Sequence, residues 1–244
     1  MQNLAERSCK LRDRIRQMAP TDASAFATPA EDQIVLPFPS VNETLPQDRF
    51  SLSKDKNWNY MQRKKFQELL GGVQQLIAKP YSGLWLTGTA GYGKSHLLAA
   101  LVCYLVATGS RAIYIPDCRA CLENPVEYIQ AAMLLCWAGS PSMQAEIMAL
   151  RTRGDILDFF TRQPTGDEPI IFVIDQLNEL EPKSSTEEQL RNERKANLES
   201  WLMDCSSKHK RVLSASANNA SYKESLQEPM NLLQVNAYGG LVKV

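Results

Sequence analysis

The chain has 244 residues, of which 44% are hydrophobic and 22% are charged, and its 27 basic and 27 acidic side chains give no net charge. This length suits one large domain with or without extensions. The balanced charge provides no overall attraction to nucleic acid or to an anionic membrane. No apolar run approaches the roughly 20 residues needed to cross a bilayer, and the N-terminus lacks a signal-peptide layout. We therefore expect an intracellular protein with no membrane partner.

The cysteine pattern indicates a reducing compartment. In a chain of this size, six cysteines favour small core residues over a disulfide framework. Cys118 and Cys121 form a C-x-x-C pair, but the chain has no second such pair and only two histidines. We expect neither a zinc site nor a redox site there.

The first part of the chain is predicted to be less regular than the rest. Residues 1–18 can form a helix, whereas residues 19–50 contain five prolines and indicate a linker or an extended arm. Helical spacing of apolar residues then predicts a helix from Trp58 to Ala78. We therefore divide the chain into an N-terminal helix and Pro-rich linker, residues 1–50, and a core domain, residues 51–244.

Strands and helices alternate through the core domain, which predicts an α/β fold with a doubly wound, largely parallel five-stranded sheet. One helix joins the first two predicted strands, as in a βαβ crossover between parallel strands. In such folds ligands bind at the carboxyl ends of the strands. The predicted strands are Gly83–Thr87, Arg111–Pro116, Pro169–Ile174, Arg211–Ala215 and a weak Leu232–Val235, and the predicted helices begin at Lys94 or span Val126–Trp137, Met143–Arg162 and Ser184–Lys210.

The stretch from Gly88 to Ser95 fits G-x-x-x-x-G-K-[ST], the Walker A phosphate-binding loop. It lies between a predicted strand and a predicted helix, whose N-terminus favours an anion. Lys94 is expected to reach the β- and γ-phosphates, and Ser95 is expected to hold Mg²⁺. The residues expected to contact the nucleotide are Gly88, Thr89, Ala90, Gly91, Tyr92, Gly93, Lys94, Ser95, His96 and, from a later strand, Asn218.

Asp175 directly follows the apolar strand Ile170–Ile174 and is the predicted second Mg²⁺ ligand, a Walker B carboxylate. Its alternative role is that of a helix N-cap. Hydrolysis also needs a group that addresses the attacking water. Gln176 is predicted to orient that water, and Glu179 is a second catalytic candidate that is equally well interpreted as an exposed loop carboxylate.

Polar residues also follow the fourth predicted strand. A side chain there can sit between the metal-binding strand and the phosphate loop, so Asn218 is predicted either to sense the γ-phosphate or to form a polar turn. Asp117, after the second strand, is a weaker candidate of the same kind. The predicted catalytic set is Lys94, Asp175, Gln176 and Glu179.

With these motifs the chain resembles the P-loop NTPase module of Crinkler effectors and retrotransposon-hot-spot proteins. The resemblance covers about residues 83–240 and rests on the phosphate loop and on four further strings: Ile113-Tyr-Ile-Pro-Asp-Cys-Arg, Phe172-Val-Ile-Asp-Gln-Leu-Asn, Ser214-Ala-Ser-Ala-Asn and Tyr238-Gly-Gly. It implies a STAND- or AAA-like ATPase module, and an effector or genome-conflict role. The alternative localisation that it implies is a secreted effector acting in a host-cell nucleus.

The chain also departs from that family. We find no secretion header with a Leu-Phe-Leu-Ala-Lys-like string, and the family's helical lid would follow the Tyr238-Gly-Gly string. Because the sequence stops at Val244, we expect the lid to be missing and the module to be truncated.

The predicted function is therefore that of a Mg²⁺-dependent, ATP-binding P-loop NTPase that hydrolyses slowly and acts as a nucleotide switch. The alternative is a non-hydrolysing nucleotide-binding scaffold, or a truncated fragment of a larger effector. A small-molecule kinase is disfavoured because residues 217–231 hold no arginine. The expected partners are a nucleotide, with ATP favoured, and an unidentified protein or a second copy of the chain.

Overall fold

The computed structural model describes residues 2–78, 83–88, 91–166, 168–181, 189–215 and 230–234, and for residues 2, 3 and 230–234 it describes the backbone alone. The strands are β1 (Ile34–Pro37), β2 (Asn57–Tyr60), β3 (Gly83–Thr87), β4 (Ala112–Ile115), β5 (Ile171–Ile174), β6 (Lys210–Ser214) and β7 (Met230–Gln234). The helices are α1 (Gln2–Met18), α2 (Ala23–Ala27), α3 (Lys65–Ala78), α4 (Lys94–Ala107), α5 (Cys118–Glu123), α6 (Pro125–Cys136), α7 (Pro141–Ala149), α8 (Arg153–Arg162) and α9 (Gln189–Ser206), with a 3₁₀ turn at Leu177–Leu180.

The main sheet has five strands in the order β4-β5-β6-β3-β7, and every neighbouring pair is parallel. This confirms the predicted α/β fold. The predicted crossover is also confirmed, because α4 alone joins β3 to β4 and both strands lie parallel in this sheet, with β6 and β5 between them. The order places the end of β6 between the end of β5 and the loop that follows β3, as expected for the strand that carries Ser214.

Helices cover both faces of this sheet, since alternate residues of each strand enter different hydrophobic clusters. In β3, Leu84 and Leu86 pack with α3 and α4, whereas Trp85 packs with α6, α8 and α9. β5 alternates in the same way, with Val173 on the first face and Phe172 on the second. The strands are therefore buried on both sides, which explains their continuous apolar sequences.

The prediction of a linker or extended arm over residues 19–50 is wrong. This segment contains α2 and β1, and β1 pairs antiparallel with β2. Phe26, Phe38 and Phe50 are each at most 2% exposed and belong to the same hydrophobic cluster as α4. The prolines of this segment separate short elements that are themselves packed, because Pro ends a helix or strand without excluding burial.

Two helix predictions also need correction. Trp58 and Tyr60 lie in a strand in which burial alternates residue by residue, and the helix begins only at Lys65. The single helix predicted over Met143–Arg162 is two helices, α7 and α8. The second begins at Arg153, and the side chain of its N-cap residue, Thr152, accepts a hydrogen bond from the Asp155 N–H in a reciprocal capping box.

The remaining elements follow the predictions closely. α1, α4, α6 and the strands β3 to β6 match their predicted segments, and the weak last strand lies at Met230–Gln234. All six cysteines are free. No group of His, Cys, Asp and Glu side chains in the described part of the chain is arranged to hold a metal ion by itself, and no described helix has the length and apolar character of a membrane span.

Candidate functional site

The Walker A segment has the strand–loop–helix context that its motif requires. β3 ends at Thr87, and α4 begins at Lys94. Gly91 and Gly93 have φ values of 85° and 74°, in the left-handed region that favours glycine. Thr89 and Ala90 lie outside the described residues. The loop therefore brings the N-terminus of α4 to the carboxyl edge of the sheet.

Lys94 and Ser95, in the first turn of α4, are both buried. The Lys94 ammonium donates a hydrogen bond of 2.6 Å to the carbonyl of Gly88, so its side chain reaches back across the loop. Burial lowers the pKa of Lys94, and the nearby Asp175 carboxylate opposes that shift. The Lys94 ammonium is thus close enough to Asp175 for the two charges to interact.

Asp175 lies at the end of β5 and is 0% exposed. Its N–H donates to the carbonyl of Ile115 at 2.9 Å, which extends the β4–β5 pairing to the aspartate itself. Its carboxylate accepts a 2.9 Å bond from the N–H of Gln176. Burial raises the pKa of Asp175, whereas Arg49, the hydroxyls of Ser95 and Ser214, and the Gln176 N–H lower it. The alternative prediction of a helix N-cap is wrong, because Gln176 takes that position before the 3₁₀ turn.

A guanidinium that the sequence analysis did not identify lies between Ser95 and Asp175. The Arg49 Nη1 atom is 3.1 Å from Asp175 Oδ2 and 3.3 Å from Ser95 Oγ. Its Nη2 atom is 3.0 Å from the Pro116 carbonyl and 3.2 Å from Asp117 Oδ2. Arg49 stands alone in a Pro-rich stretch, so no periodicity or motif marks it as a site residue.

Asp117 takes part in the same network. As the N-cap of α5, its carboxylate accepts hydrogen bonds from the N–H groups of Arg119 and Ala120. It also pairs with Arg49 at 3.2 Å and with the Arg119 guanidinium at 3.4 Å. Its position at a strand end matches the prediction, and its partners in the structure are arginines.

The predicted water-orienting residues lie just after Asp175. Gln176 has a φ of 62°, an uncommon conformation for a residue other than glycine, and is half-buried. Glu179 lies in the 3₁₀ turn, where its carboxylate accepts a 3.4 Å bond from the Asn178 amide. Their catalytic roles stay predictions. The predicted γ-phosphate sensor Asn218 lies outside the described residues.

His96, a predicted nucleotide contact, has its ring in an aromatic cluster. The ring stacks on Phe50 with 4.5 Å between centroids and meets Trp58 edge-on at 5.4 Å. Burial, with help from the charges of Arg63 and Arg49, lowers the pKa of His96 to about 4. The ring is therefore neutral at pH 7, and the group by which His96 can meet a phosphate is its backbone N–H at the start of α4.

The residues of the site fit a Mg²⁺ ion bound with a phosphate. Ser95 Oγ and Asp175 Oδ2 both lie within 3.3 Å of one Arg49 nitrogen, so they can both be reached by a single cation. A hydroxyl and a carboxylate are hard oxygen donors of the kind that Mg²⁺ uses together with phosphate oxygens and water. The structure thus brings together Lys94, Ser95 and Asp175 from the predicted set.

The parallel sheet and the loop between its strand β3 and helix α4 define an α/β fold of the P-loop class. The chain matches no protein-family model, and no curated protein is similar to it in sequence. Similar solved structures include a DNA replication initiation factor, with 14% identity and a TM-score of 0.40 over 70% of this chain and 46% of that one. The ORC2 protein of Aeropyrum pernix in its ADPNP–ADP complexes has 13% identity and a TM-score of 0.42, over 82% of this chain and 51% of that one. DnaI has 15% identity and a TM-score of 0.33, over 69% of this chain and 80% of that one. The chain thus spans about half the length of the first two.

Proposed function

We propose that this protein binds ATP with Mg²⁺ at the carboxyl edge of its sheet. The observation that carries the proposal is the position of Ser95 and Asp175, which come from α4 and β5 and lie within reach of the same cation. A phosphate-binding loop beside a cation site of this kind is the arrangement that a nucleoside triphosphate with its metal requires.

Each part of the site has a distinct role in the proposal. The N–H groups of the loop and of the first turn of α4 bind phosphate oxygens, which the positive end of the helix dipole favours. Lys94 neutralises charge on the β- and γ-phosphates. Ser95 and Asp175 hold Mg²⁺, which offsets phosphate charge when it is bound.

The finer proposal is slow hydrolysis that sets the lifetime of a nucleotide switch. Gln176 follows Asp175 directly and can orient a water molecule without taking its proton. Glu179 is the second candidate for this role. The resemblance of the motifs to Crinkler NTPase modules supports a switch in an effector-type protein, and the alternative is a scaffold that binds nucleotide without hydrolysing it.

Binding is tested by titrating the protein with a fluorescent, non-hydrolysable ATP analogue in the presence of Mg²⁺. Replacing Lys94 by Ala removes a buried charge from the phosphate site, and we expect the affinity to fall by at least about a hundredfold, as for the loss of a strong charge-assisted hydrogen bond. Lys208→Ala is the matched control, because this exposed lysine precedes β6 at the opposite edge of the sheet. Equal affinities of wild type and Lys94→Ala would refute the proposal.

Hydrolysis is tested separately by phosphate release from ATP. Asp175→Asn keeps the shape of the side chain and removes its charge, so it provides the background rate. Release by the wild-type protein above that background supports an ATPase. Release equal to that of Asp175→Asn, with analogue binding intact in wild type, supports the scaffold.

A further inference from the structure

Arg49 is bound to the candidate cation site through both of its terminal nitrogens. Nη1 contacts Ser95 and Asp175, and Nη2 contacts Asp117 and the carbonyl of Pro116. Three of these contacts are hydrogen bonds, to Ser95, Asp175 and Pro116, and the fourth is an ion pair with Asp117. The side chain is only 16% exposed. Arg49 is therefore largely buried and held at the candidate site by both of its terminal nitrogens.

The Arg49 guanidinium and Mg²⁺ require the same space. A Mg²⁺ ion bound to Ser95 and Asp175 would lie about 2.1 Å from each oxygen and would keep several waters around it. Arg49 Nη1 lies 3.3 Å and 3.1 Å from the same two oxygens. A guanidinium nitrogen and a metal ion cannot occupy the same position between these two oxygens, because charge repulsion and steric overlap both exclude it. A metal bound at the position between Ser95 Oγ and Asp175 Oδ2 would therefore displace Nη1.

The backbone that carries Arg49 is firmly held. Phe50 is 2% exposed and stacks on His96, and the N–H groups of Arg49 and Phe50 both donate to the Pro46 carbonyl at 3.1 Å. The displacement that frees Ser95 and Asp175 is therefore a swing of the Arg49 side chain about a fixed turn.

An acidic cavity lies next to the site and can receive the displaced guanidinium. Its volume is about 490 Å³, and its lining residues include four acidic ones, Glu43, Asp48, Asp117 and Glu123, and one arginine, Arg119. Arg49 already contacts two of these carboxylates, Asp117 at 3.2 Å and Asp48 at 3.7 Å. A swing toward this cavity keeps both ion pairs while it releases the two candidate metal ligands.

We propose that Arg49 is an intramolecular cation that occupies the Ser95–Asp175 site in the nucleotide-free protein and is displaced into the acidic cavity when Mg²⁺ and nucleotide bind. This inference rests on the proposed function, since it concerns the regulation of the same site. Arg49 is thus a competitor of the metal, and its side chain is the part of the structure that responds to nucleotide.

The experiment measures the Mg²⁺ concentration at which half of the protein binds a fixed concentration of the fluorescent, non-hydrolysable ATP analogue. In Arg49→Ala the competitor is gone, and we expect this midpoint to fall by at least about tenfold, the ratio that corresponds to a single charge-assisted hydrogen bond. Arg49→Lys keeps the charge but lacks the fork that spans both pairs of contacts. Its midpoint should fall between those of wild type and Arg49→Ala, and it serves as the second variant if Arg49→Ala does not fold.

Lys54→Ala, an exposed lysine in the same segment, is the matched control and should keep the wild-type midpoint. A second readout is the unfolding temperature without nucleotide. We expect Mg²⁺ alone to raise it more in Arg49→Ala than in wild type, because the variant leaves the buried Asp175 carboxylate without its arginine.

The outcomes separate the two proposals. A lowered midpoint in the Arg49 variants with an unchanged control supports displacement. An unchanged midpoint in Arg49→Ala overturns the displacement proposal but leaves the proposed nucleotide binding standing. Weaker analogue binding in Arg49→Ala also overturns displacement, and it would make Arg49 a phosphate ligand. If neither wild type nor Arg49→Ala binds the analogue at any Mg²⁺ concentration, the proposed function itself is overturned.

Discussion

The packing of Phe50 provides a quantitative test of how the N-terminal segment joins the sheet. This side chain is 2% exposed, and its ring centroid lies 4.5 Å from that of His96, 4.9 Å from that of Phe38 and 5.2 Å from that of Trp58. Truncating a buried Phe to Ala destabilises a protein by roughly 3–5 kcal/mol. Because the ring meets three other rings, we expect Phe50→Ala to lower the free energy of unfolding by about 4 kcal/mol.

The assay is urea unfolding followed by far-UV circular dichroism and by tryptophan fluorescence, whose transitions should coincide if unfolding is two-state. The midpoint should move to lower urea while the slope m stays unchanged. Met61→Ala is the control, because Met61 lies in the same region and is 41% exposed, so its effect should stay within about 0.5 kcal/mol. A loss below about 1 kcal/mol in Phe50→Ala would refute the conclusion that this segment is part of the core.

Two further predictions test local features of the fold. With a folded-state pKa of about 4 against an ordinary value of 6.5, His96 binds its proton mainly in the unfolded state between these pH values. The free energy of unfolding should therefore rise with pH across that window, by about 3 kcal/mol in all. His96→Gln should lose this part of the pH dependence. An NMR titration of His96 with a midpoint near 6.5 would contradict the packing of its ring. Thr152→Ala removes the Thr152 hydroxyl from the capping box before α8 and should lower the free energy of unfolding by about 1 kcal/mol. In the same urea assay, the control Ser142→Ala on the exposed face of α7 should leave it unchanged.

The sequence predicts best those parts of the site that local pattern determines. The loop from Gly88 to Ser95 requires a strand before it and a helix after it, and both are present because a glycine-rich turn joins two strongly apolar segments. The position of Asp175 at the sheet edge also follows from local pattern, because a polar residue that ends a buried strand must lie there.

Features that depend on distant contacts could not be predicted in this way. Arg49 meets Asp175 across 126 positions of sequence, and nothing near Arg49 reflects that contact. The alternation of Trp58 and Tyr60 fits a strand, but their spacing from Phe66 and Leu69 also fits a helix, and only the pairing with β1 decides between them. Likewise, the order of strands depends on how they pair in space, so the separation of β3 from β4 had no local signal.

The burial of Asp175 links these two kinds of feature. A carboxylate that is 0% exposed needs a cation or several hydrogen bonds to stay ionised, and the chain supplies Arg49 for this purpose from a segment outside the β3–α4 motif. If Mg²⁺ replaces Arg49, the binding of Arg49 to Ser95 and Asp175 and the binding of Mg²⁺ with nucleotide are coupled, and the coupling is reciprocal. Any change that strengthens the Arg49 contacts must therefore weaken the binding of Mg²⁺ and nucleotide by the same factor. A partner that binds the acidic cavity and blocks the displaced position of Arg49 would then favour the nucleotide-free state, whereas a mutation that deepens the negative charge of that cavity would favour the bound one. Nucleotide binding would therefore first change the molecular surface at the acidic cavity, where the Arg49 side chain of the N-terminal segment would move.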